Sequence, residues 1–345
     1  MIEVFNLNKD KKLKKQVDKR KEYNSKKRRI LILILLVLFL IGVLGFSTMA
    51  WFSSNKHGVI DSIDINVATV TGLQISADAI EWGNEVTKDQ IINAYKTYPA
   101  AENQLPDTLS NVSTAGNVTN GKLDMYYGVT SEEKDGGFTL TTLEQTEMQC
   151  TGGEECGDKH YIAFDVFLLV TTPATIALTG NSNVIPQPDT RDKGSQNAAR
   201  VAFVIEGTVN SGSSAAAQAL KGGTSSLIWE PNYDVHTPEG VEAAKNVYGV
   251  TTSLSGASRI PYKGVNRAFQ TPVYIDQTDK SSYFTTVNPR VATVKNFVEN
   301  QQLMNIPAGI TKVRIYMWLE GQDVDMDNSV AASQLLYNVE FAMIN

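Results

Sequence analysis

Histidine and cysteine are scarce in this 345-residue sequence, which has three histidines and two cysteines. The motifs H-E-x-x-H and G-x-S-x-G and a glycine-rich phosphate-binding loop are absent from it. Most zinc sites draw on histidine or cysteine, so the material for a metalloenzyme is thin. We therefore expect a protein that is not an enzyme and has no resident cofactor, although missing motifs alone do not exclude catalysis.

Long helical periodicity is nearly absent as well. Apolar residues instead alternate with polar ones in short runs, separated by turns rich in Gly, Ser, Thr and Asn. Period-two alternation is typical of half-buried strands. The region after residue 50 is long enough to bury a sizeable core. These features predict a mainly all-β protein with a β-sandwich or barrel-like architecture.

One uncharged apolar stretch, Ile30–Phe46, stands apart from this pattern. As a helix it would span roughly 25 Å, close to the thickness of a bilayer core. Residues 1–29 hold 12 of the 31 Lys and Arg but only four of the 37 Asp and Glu. The positive-inside rule then places residues 1–29 in the cytoplasm and the acidic remainder at the cell surface or outside the cell. The position of the basic run beside the apolar stretch favours contact with anionic lipid, and we expect no nucleic-acid partner.

Two fates are open for the apolar stretch. A signal peptidase would accept Thr48 at −3 and Ala50 at −1, which makes Trp51 the first residue of the mature chain. Alternatively, the helix is retained as a membrane anchor, with Trp51 at the outer interface. The predicted organisation is a basic cytoplasmic segment (1–29), a signal peptide or transmembrane helix (30–50) and an extracellular β domain with loop and short-helix insertions (51–345).

The clearest strands lie near the two ends of the outer region and in its middle. In Val59–Val67 one face carries Val59, Ile63, Ile65 and Val67, so this strand is predicted to be half-buried. His160–Val170 is apolar on both faces, which is typical of a strand deep in a fold. Alternation returns in Lys312–Glu320 and Leu335–Ile344. Further predictions are short helices at Lys88–Tyr98 and Pro238–Tyr248, and a hairpin formed by Leu123–Tyr127 and Phe138–Leu143.

The two cysteines, Cys150 and Cys156, enclose five residues, two of them glycine. Outside the cytoplasm such a pair readily forms a small-loop disulfide. A metal site that combines both thiols with His160 is the alternative. Its spacing matches no common zinc pattern, so the sequence favours the disulfide.

Three alternate carboxylates, Asp323, Asp325 and Asp327, follow a predicted strand. Carboxylates spaced in this way can converge on Ca²⁺, so a calcium site is one prediction. The loop is not an EF-hand, because Asn328 and Gln334 occupy the places of the required Gly and Glu. A solvated hairpin loop is the alternative.

A second polar group follows Trp229. Glu230, Asp234 and His236 could ligate a metal or serve in acid–base chemistry. The alternative is a Trp-Glu-Pro turn that packs the aromatic ring over a sheet edge.

The order of a basic segment, an apolar helix and the hexapeptide TMAWFS (Thr48–Ser53) resembles secreted Gram-positive proteins with SipW-type signal peptides. This group includes the TasA and camelysin biofilm-matrix family. The segments TGLQIS (Thr71–Ser76), YIAFDVFLLV, WEPN and WLEGQD (Trp318–Asp323) are also similar to recurring features of the group.

The resemblance implies a jelly-roll-like β-sandwich that is exported to the cell surface or matrix. It also implies self-association into fibres, in which an exposed N-terminal strand, here running from Trp51 into Val59–Val67, is donated to a neighbour's sheet. Camelysin has been classed as a metalloprotease, but this sequence does not supply the ligands that class needs. The alternative function is a membrane-anchored module that binds a glycan or a protein near the Trp229 turn or the Asp323 loop.

Overall fold

Strands make up about half of the described part of the chain and helices about a tenth, so the protein is mainly β. The structure is a computed structural model, and all described residues belong to one compact unit, Ala50–Asn345. It describes residues 57–68, 72–130, 138–142, 147–150, 156, 159–187, 194–248, 260, 263–273, 283–291, 302–326 and 334–344.

The strands in these residues are β1 (His57–Val67), β2 (Leu73–Ser76), β3 (Glu85–Thr87), β4 (Thr108–Ser110), β5 (Val118–Thr119), β6 (Lys122–Leu123), β7 (Tyr126–Thr130), β8 (Phe138–Thr142), β9 (Tyr161–Val170), β10 (Ala174–Leu178), β11 (Asn183–Pro186), β12 (Ala199–Val209), β13 (Ser226–Trp229), β14 (Lys263–Val265), β15 (Phe269–Val273), β16 (Phe284–Thr286), β17 (Met304–Ile306), β18 (Gly309–Leu319) and β19 (Gln334–Ile344). Five of them, β1, β9, β12, β18 and β19, have ten or eleven residues, and the others have two to five. The helices are α1 (Lys88–Asn93), α2 (Ser214–Gln218) and α3 (Pro238–Tyr248), and a 3₁₀ helix at Ala94–Lys96 follows α1.

Two large sheets organise the fold. Sheet A has the order β17-β10-β19-β1-β3, and it also contains β11, paired with β19, and β4, paired with β1. Sheet B has the order β13-β12-β18-β9-β2. In sheet A, β1 runs parallel to β19 and has the antiparallel strands β3 and β4 on its other side. The first and last described strands are therefore neighbours.

The two sheets share one apolar core. Ile63 and Ile65 of sheet A and Phe164 and Phe203 of sheet B belong to the same buried cluster. The rings of Phe203 and Phe341 join the sheets directly, with centroids 5.7 Å apart in an edge-on arrangement. Each large side chain buried here contributes about 1.5–3 kcal/mol. The predicted apolar faces of β1, β18 and β19, with Ile63, Ile315 and Val339, thus lie in this core.

The second face of sheet B is also buried. The segment between α1 and β7 crosses this face, so that Leu123 packs against Tyr316 of β18. Further along, the rings of Tyr98 and Phe167 lie 5.8 Å apart in an edge-on contact. Every residue of β18 is buried, and β9 is buried along almost its whole length. The prediction that His160–Val170 lies deep in the fold is confirmed.

The hairpin predicted from Leu123 onwards begins later in the chain. Leu123 belongs to β6, which pairs with β5, and the hairpin itself is β7 with β8. Strand β15 adds to β8 and forms a third strand of this small sheet. Strands β14 and β16 form a separate pair. Helix α3 has the predicted limits, Pro238–Tyr248.

Within the described residues, no helix combines the length and apolar character needed to cross a membrane. The predicted helix Ile30–Phe46 lies outside those residues, and so do Thr48, Ala50 and Trp51. The processing site and the anchor therefore stay predictions.

Candidate functional site

The candidate strand donor, β1, is an interior strand of its own sheet. Ile63, Ile65 and Val67 point into the core and are buried. Val59 lies opposite Gln334 of β19, and the same residue is paired with β4 on its other side. Because both edges of β1 are paired, its removal would open β19 on one side and β3 and β4 on the other.

Additional bonds hold the end of β1 in place. The Ala68 amide donates to the Phe341 carbonyl over 2.8 Å, and the Val67 amide donates to the Asn84 carbonyl over 2.8 Å. On the outer face, the Asn66 amide group donates to the Asn338 side-chain oxygen over 3.2 Å. Donation of this strand to a neighbour stays a prediction. A strand donated by another molecule would have to occupy the same position, between β19 on one side and β3 and β4 on the other.

The predicted disulfide between Cys150 and Cys156 is present, with a Cα–Cα distance of 5.2 Å. This distance lies in the usual range for the bond. Both cysteines are buried. The Cys150 amide donates to the Asn103 carbonyl over 2.9 Å, so the disulfide loop is attached to the segment that covers sheet B.

Asp323, one of the predicted calcium ligands, is engaged in a buried ion cluster. The Arg200 guanidinium donates through Nη2 both to Asp323 Oδ2 and, over 2.6 Å, to Glu230 Oε1. Asp323 Oδ1 accepts the Asp325 amide over 2.9 Å. Arg200 is completely buried and Asp323 is 4% exposed. A buried carboxylate needs this kind of pairing, because desolvation of an isolated charge is costly.

Asp325 is satisfied by a different part of the chain. Its Oδ1 accepts the Thr237 amide over 2.7 Å and the Thr237 hydroxyl over 2.8 Å, and its Oδ2 lies 2.8 Å from His236 Nδ1. The four carboxylate oxygens of Asp323 and Asp325 therefore all have protein partners. Asp327 lies outside the described residues.

No group of three His, Cys, Asp or Glu side chains in the described part of the chain is placed to hold a metal ion. A calcium ion at this loop would have to replace the donors just described. The Ca²⁺ site at Asp323, Asp325 and Asp327 stays a prediction.

The structure joins two groups that the sequence suggested separately. Glu230 and His236 of the Trp229 turn meet Asp323 and Asp325 of the second loop, whereas Asp234 takes no part in these bonds. The residue that sequence reasoning missed is Arg200, which links the two loops. Its position at the start of an apolar strand, where a charge must be paired if buried, was the available indication.

Burial governs the protonation of this region. It raises the pKa of Asp323 to about 6, although Arg200 acts in the opposite direction. It raises the pKa of Glu320 to about 7, and hydrogen bonds from Ser113 and Trp318 limit the rise. Burial lowers the pKa of His236, but the bond to Asp325 together with the charges of Asp325, Asp323 and Glu230 outweighs this effect, and the net pKa lies above its usual value. The cluster therefore binds protons at mildly acidic pH.

A second ion network lies under the segment that covers sheet B. Asp165 of β9 pairs with Arg314 over 2.9 Å and with Lys312 over 3.2 Å. Glu147 pairs with Lys122 over 2.8 Å and with Arg314 over 3.3 Å. Burial alone would raise the pKa of Asp165, but the two cations hold it below its usual value. These groups connect β9 and β18 with the covering segment.

A cleft of about 360 Å³ lies between the loop after β2, strand β3 and helix α1 with the 3₁₀ helix that follows it. Trp82 forms part of its wall and is half-buried. The rim carries the exposed side chains of Glu81, Glu85 and Lys96. Sequence reasoning did not identify this cleft, because its walls come from a loop and a helix with no recognisable motif.

The alternative function placed a ligand surface near the Trp229 turn or the Asp323 loop, and two side chains that name these segments are buried. Trp229 is 1% exposed and belongs to the main core, and Asp323 is held by Arg200. The ion cluster holds the two loops together through Arg200. The Trp82 cleft, in contrast, is open to solvent. Comparison of the chain with protein-family models, with curated proteins and with solved structures finds no match.

Proposed function

We propose that this protein is an exported, non-enzymatic structural component of the cell envelope or extracellular matrix. It has a jelly-roll-like β-sandwich and self-assembles or adheres. The place of β1 carries this proposal. Among the described strands it is the first after the predicted processing site, and it fills an interior position beside β19, the last of them.

Assembly would follow from exchange of that strand. A neighbouring copy has the same sequence, so its β1 can occupy the same position beside β19, with Ile63 opposite Tyr337 and Ile65 opposite Val339. The buried contacts and backbone bonds are then the same between chains as within one chain. Each subunit would give its own strand to the next, which produces an open chain of subunits.

The disulfide supports an oxidising location. Cys150 and Cys156 are bonded, and disulfides persist mainly outside the cytoplasm. Export would bring the chain to signal peptidase, which would cut before Trp51. If the apolar helix is instead retained, the domain is attached to the membrane at the cell surface.

The test is the N-terminal residue and intact mass of the protein recovered from cells, followed by electron microscopy over a range of concentrations. We expect a mature chain that begins at Trp51 and forms filaments as its concentration rises. The matched variant Ala50→Leu should block cleavage and filament formation together. A wild-type chain that retains Ile30–Phe46 and stays monomeric would reject assembly by strand exchange.

That second result would favour the alternative function, a membrane-anchored module that binds a glycan or a protein. The Trp229 and Asp323 side chains are buried, whereas Val235 of the Trp229 turn is exposed, so a ligand surface near that turn stays a prediction. The Trp82 cleft is a further concave surface that could supply a binding site.

A further inference from the structure

The Trp82 cleft has a wall fixed by a hydrogen-bonded aspartate. Asp78 Oδ1 accepts the amides of Ile80 and Glu81 over 2.8 and 2.9 Å, and it also accepts the Ser76 hydroxyl over 2.9 Å. Asp78 Oδ2 accepts the Thr97 hydroxyl over 2.6 Å. The loop after β2 is thereby attached to the residue that follows the 3₁₀ helix.

Helix α2 supports the same wall from behind. The Gln218 side chain donates to the Asp78 carbonyl over 2.7 Å, and the Ser214 hydroxyl donates to the Ala79 carbonyl over 2.7 Å. On the other side of the cleft, Thr87 and Gln90 form a capping box that fixes the start of α1. The walls are thus held before any ligand arrives, which reduces the ordering cost of binding.

Trp82 supplies an aromatic surface within this frame. It packs against the buried cluster that contains Tyr98, Phe167 and Ala217, yet it also lines the cleft. A half-buried indole supported in this way offers an apolar, electron-rich surface that can attract a cation or the apolar face of a sugar ring.

The charge of the lining favours a cationic ligand. Asp78, Glu81 and Glu85 line the cleft together with one lysine, Lys96, so the carboxylates are in excess by two. Burial raises the pKa of Asp78, but its hydrogen bonds from Thr97 and the loop amides outweigh this and keep it ionised at neutral pH. Electrostatic complementarity would disfavour an anionic ligand here.

We propose that the Trp82 cleft binds a saccharide that carries a protonated amine. The cleft has the size of an ordinary small-ligand site, at about 360 Å³. The indole would contact the ring face and the carboxylates of Glu81 and Glu85 would pair with the amine. Asn93 also lines the cleft and supplies a polar side chain of the kind that hydroxyls bond. The site does not depend on strand exchange.

The direct test is calorimetric titration of the full-length protein with the trimer of glucosamine. The N-acetylated trimer is the matched ligand control, because it keeps the ring and loses the charge. We expect the amine form to bind at least about tenfold more tightly and to weaken as salt is raised.

Two variants locate the binding. Trp82→Ala and the double variant Glu81→Gln/Glu85→Gln should each weaken binding about tenfold. Tyr233→Ala, which truncates another half-buried aromatic residue, should leave it unchanged. If Trp82→Ala also lowers the unfolding temperature, the double variant Glu81→Gln/Glu85→Gln tests binding by itself. Both glutamates are exposed, so they can be replaced without loss of a core contact.

Three results would overturn the proposal. They are no binding of the glucosamine trimer, equal binding by both trimers, and equal binding by trilysine, which would mean that the cleft selects charge alone. None of these results bears on the proposed assembly, which is measured by microscopy without any saccharide.

Discussion

Ile63 of the first described strand lies directly opposite Tyr337 of the last, in a parallel pair at the centre of sheet A. Both side chains are almost completely buried. The two ends of the domain are therefore joined through its core, and the stability of the whole domain depends on β1 being present. Strand exchange would preserve this relationship while changing which molecule supplies Ile63.

The core contribution of β1 can be measured on one residue. Ile65→Ala should lower the free energy of unfolding by about 2–5 kcal/mol, because it leaves a cavity between the sheets. Ser62→Ala, on the outer face of the same strand, should change it by less than about 0.5 kcal/mol. Denaturant unfolding of purified protein measures both. Equal effects would mean that β1 does not pack in the core as described.

Removal of Arg200 should be costly. Arg200→Met leaves the carboxylates of Glu230 and Asp323 buried together without their cation, and we expect a loss of about 3–5 kcal/mol. The control is Lys221→Met, which removes an exposed ion pair with Glu102 and should cost less than about 1 kcal/mol. If thermal unfolding gives similar shifts for the two variants, the ion cluster is not buried.

Stability should fall as the pH rises from about 4.5 to above 7. Burial raises the pKa of Glu320 to about 7 in the folded state, from 4.5. The folded state therefore binds the proton more tightly, and the stability that this provides is lost as the pH rises through the folded pKa. The expected loss from Glu320 is up to about 3 kcal/mol.

The variant Glu320→Gln isolates this effect, because glutamine cannot titrate. Unfolding temperatures measured from pH 4.5 to 8 should show a smaller decline for the variant than for the wild type. Parallel curves would show that Glu320 does not titrate in this range.

Loss of the disulfide should destabilise the domain modestly. The bond joins residues six positions apart, so the chain-entropy account predicts about 2 kcal/mol for Cys150→Ser/Cys156→Ser. A reducing agent should lower the unfolding temperature of the wild type and leave that of the double variant unchanged. A further decrease in the double variant would show that the reductant acts elsewhere.

Much of the fold could be predicted because its long strands alternate. The buried faces of β1 and β19 can be predicted from Ile63, Ile65 and Val339. A strand with one face in the core and the other towards solvent carries apolar residues at every second position. Helix α3 and the disulfide were also evident locally. The parallel pairing of β1 with β19 was not, because it joins segments about 270 residues apart and leaves no local trace.

The charged residues of sheet B show where the sequence was least informative. Lys312 and Arg314 alternate with core residues in β18, as they would on a solvated face. They are buried because their partners, Tyr98 of the covering segment and Glu147 after β8, come from distant parts of the chain. Asp165, alone in an apolar strand, was the one local indication that a partner would be needed.

In the proposed assembly β1 of one molecule fills the sheet of another, and a disulfide trap tests this exchange most directly. Asp64 and Asn338 lie opposite each other on the outer face of β1 and β19. Chains with Asp64→Cys are mixed with chains with Asn338→Cys, allowed to assemble and then oxidised. Gln74→Cys, an exposed position in sheet B, replaces Asp64→Cys in the control mixture.

We expect crosslinked pairs of unlike chains in the assembled test mixture and not in the control mixture. A chain that carries both substitutions, oxidised before assembly, should be locked and form no filaments. Filaments without crosslinks between unlike chains, or filaments formed by the locked chain, would contradict assembly by strand exchange.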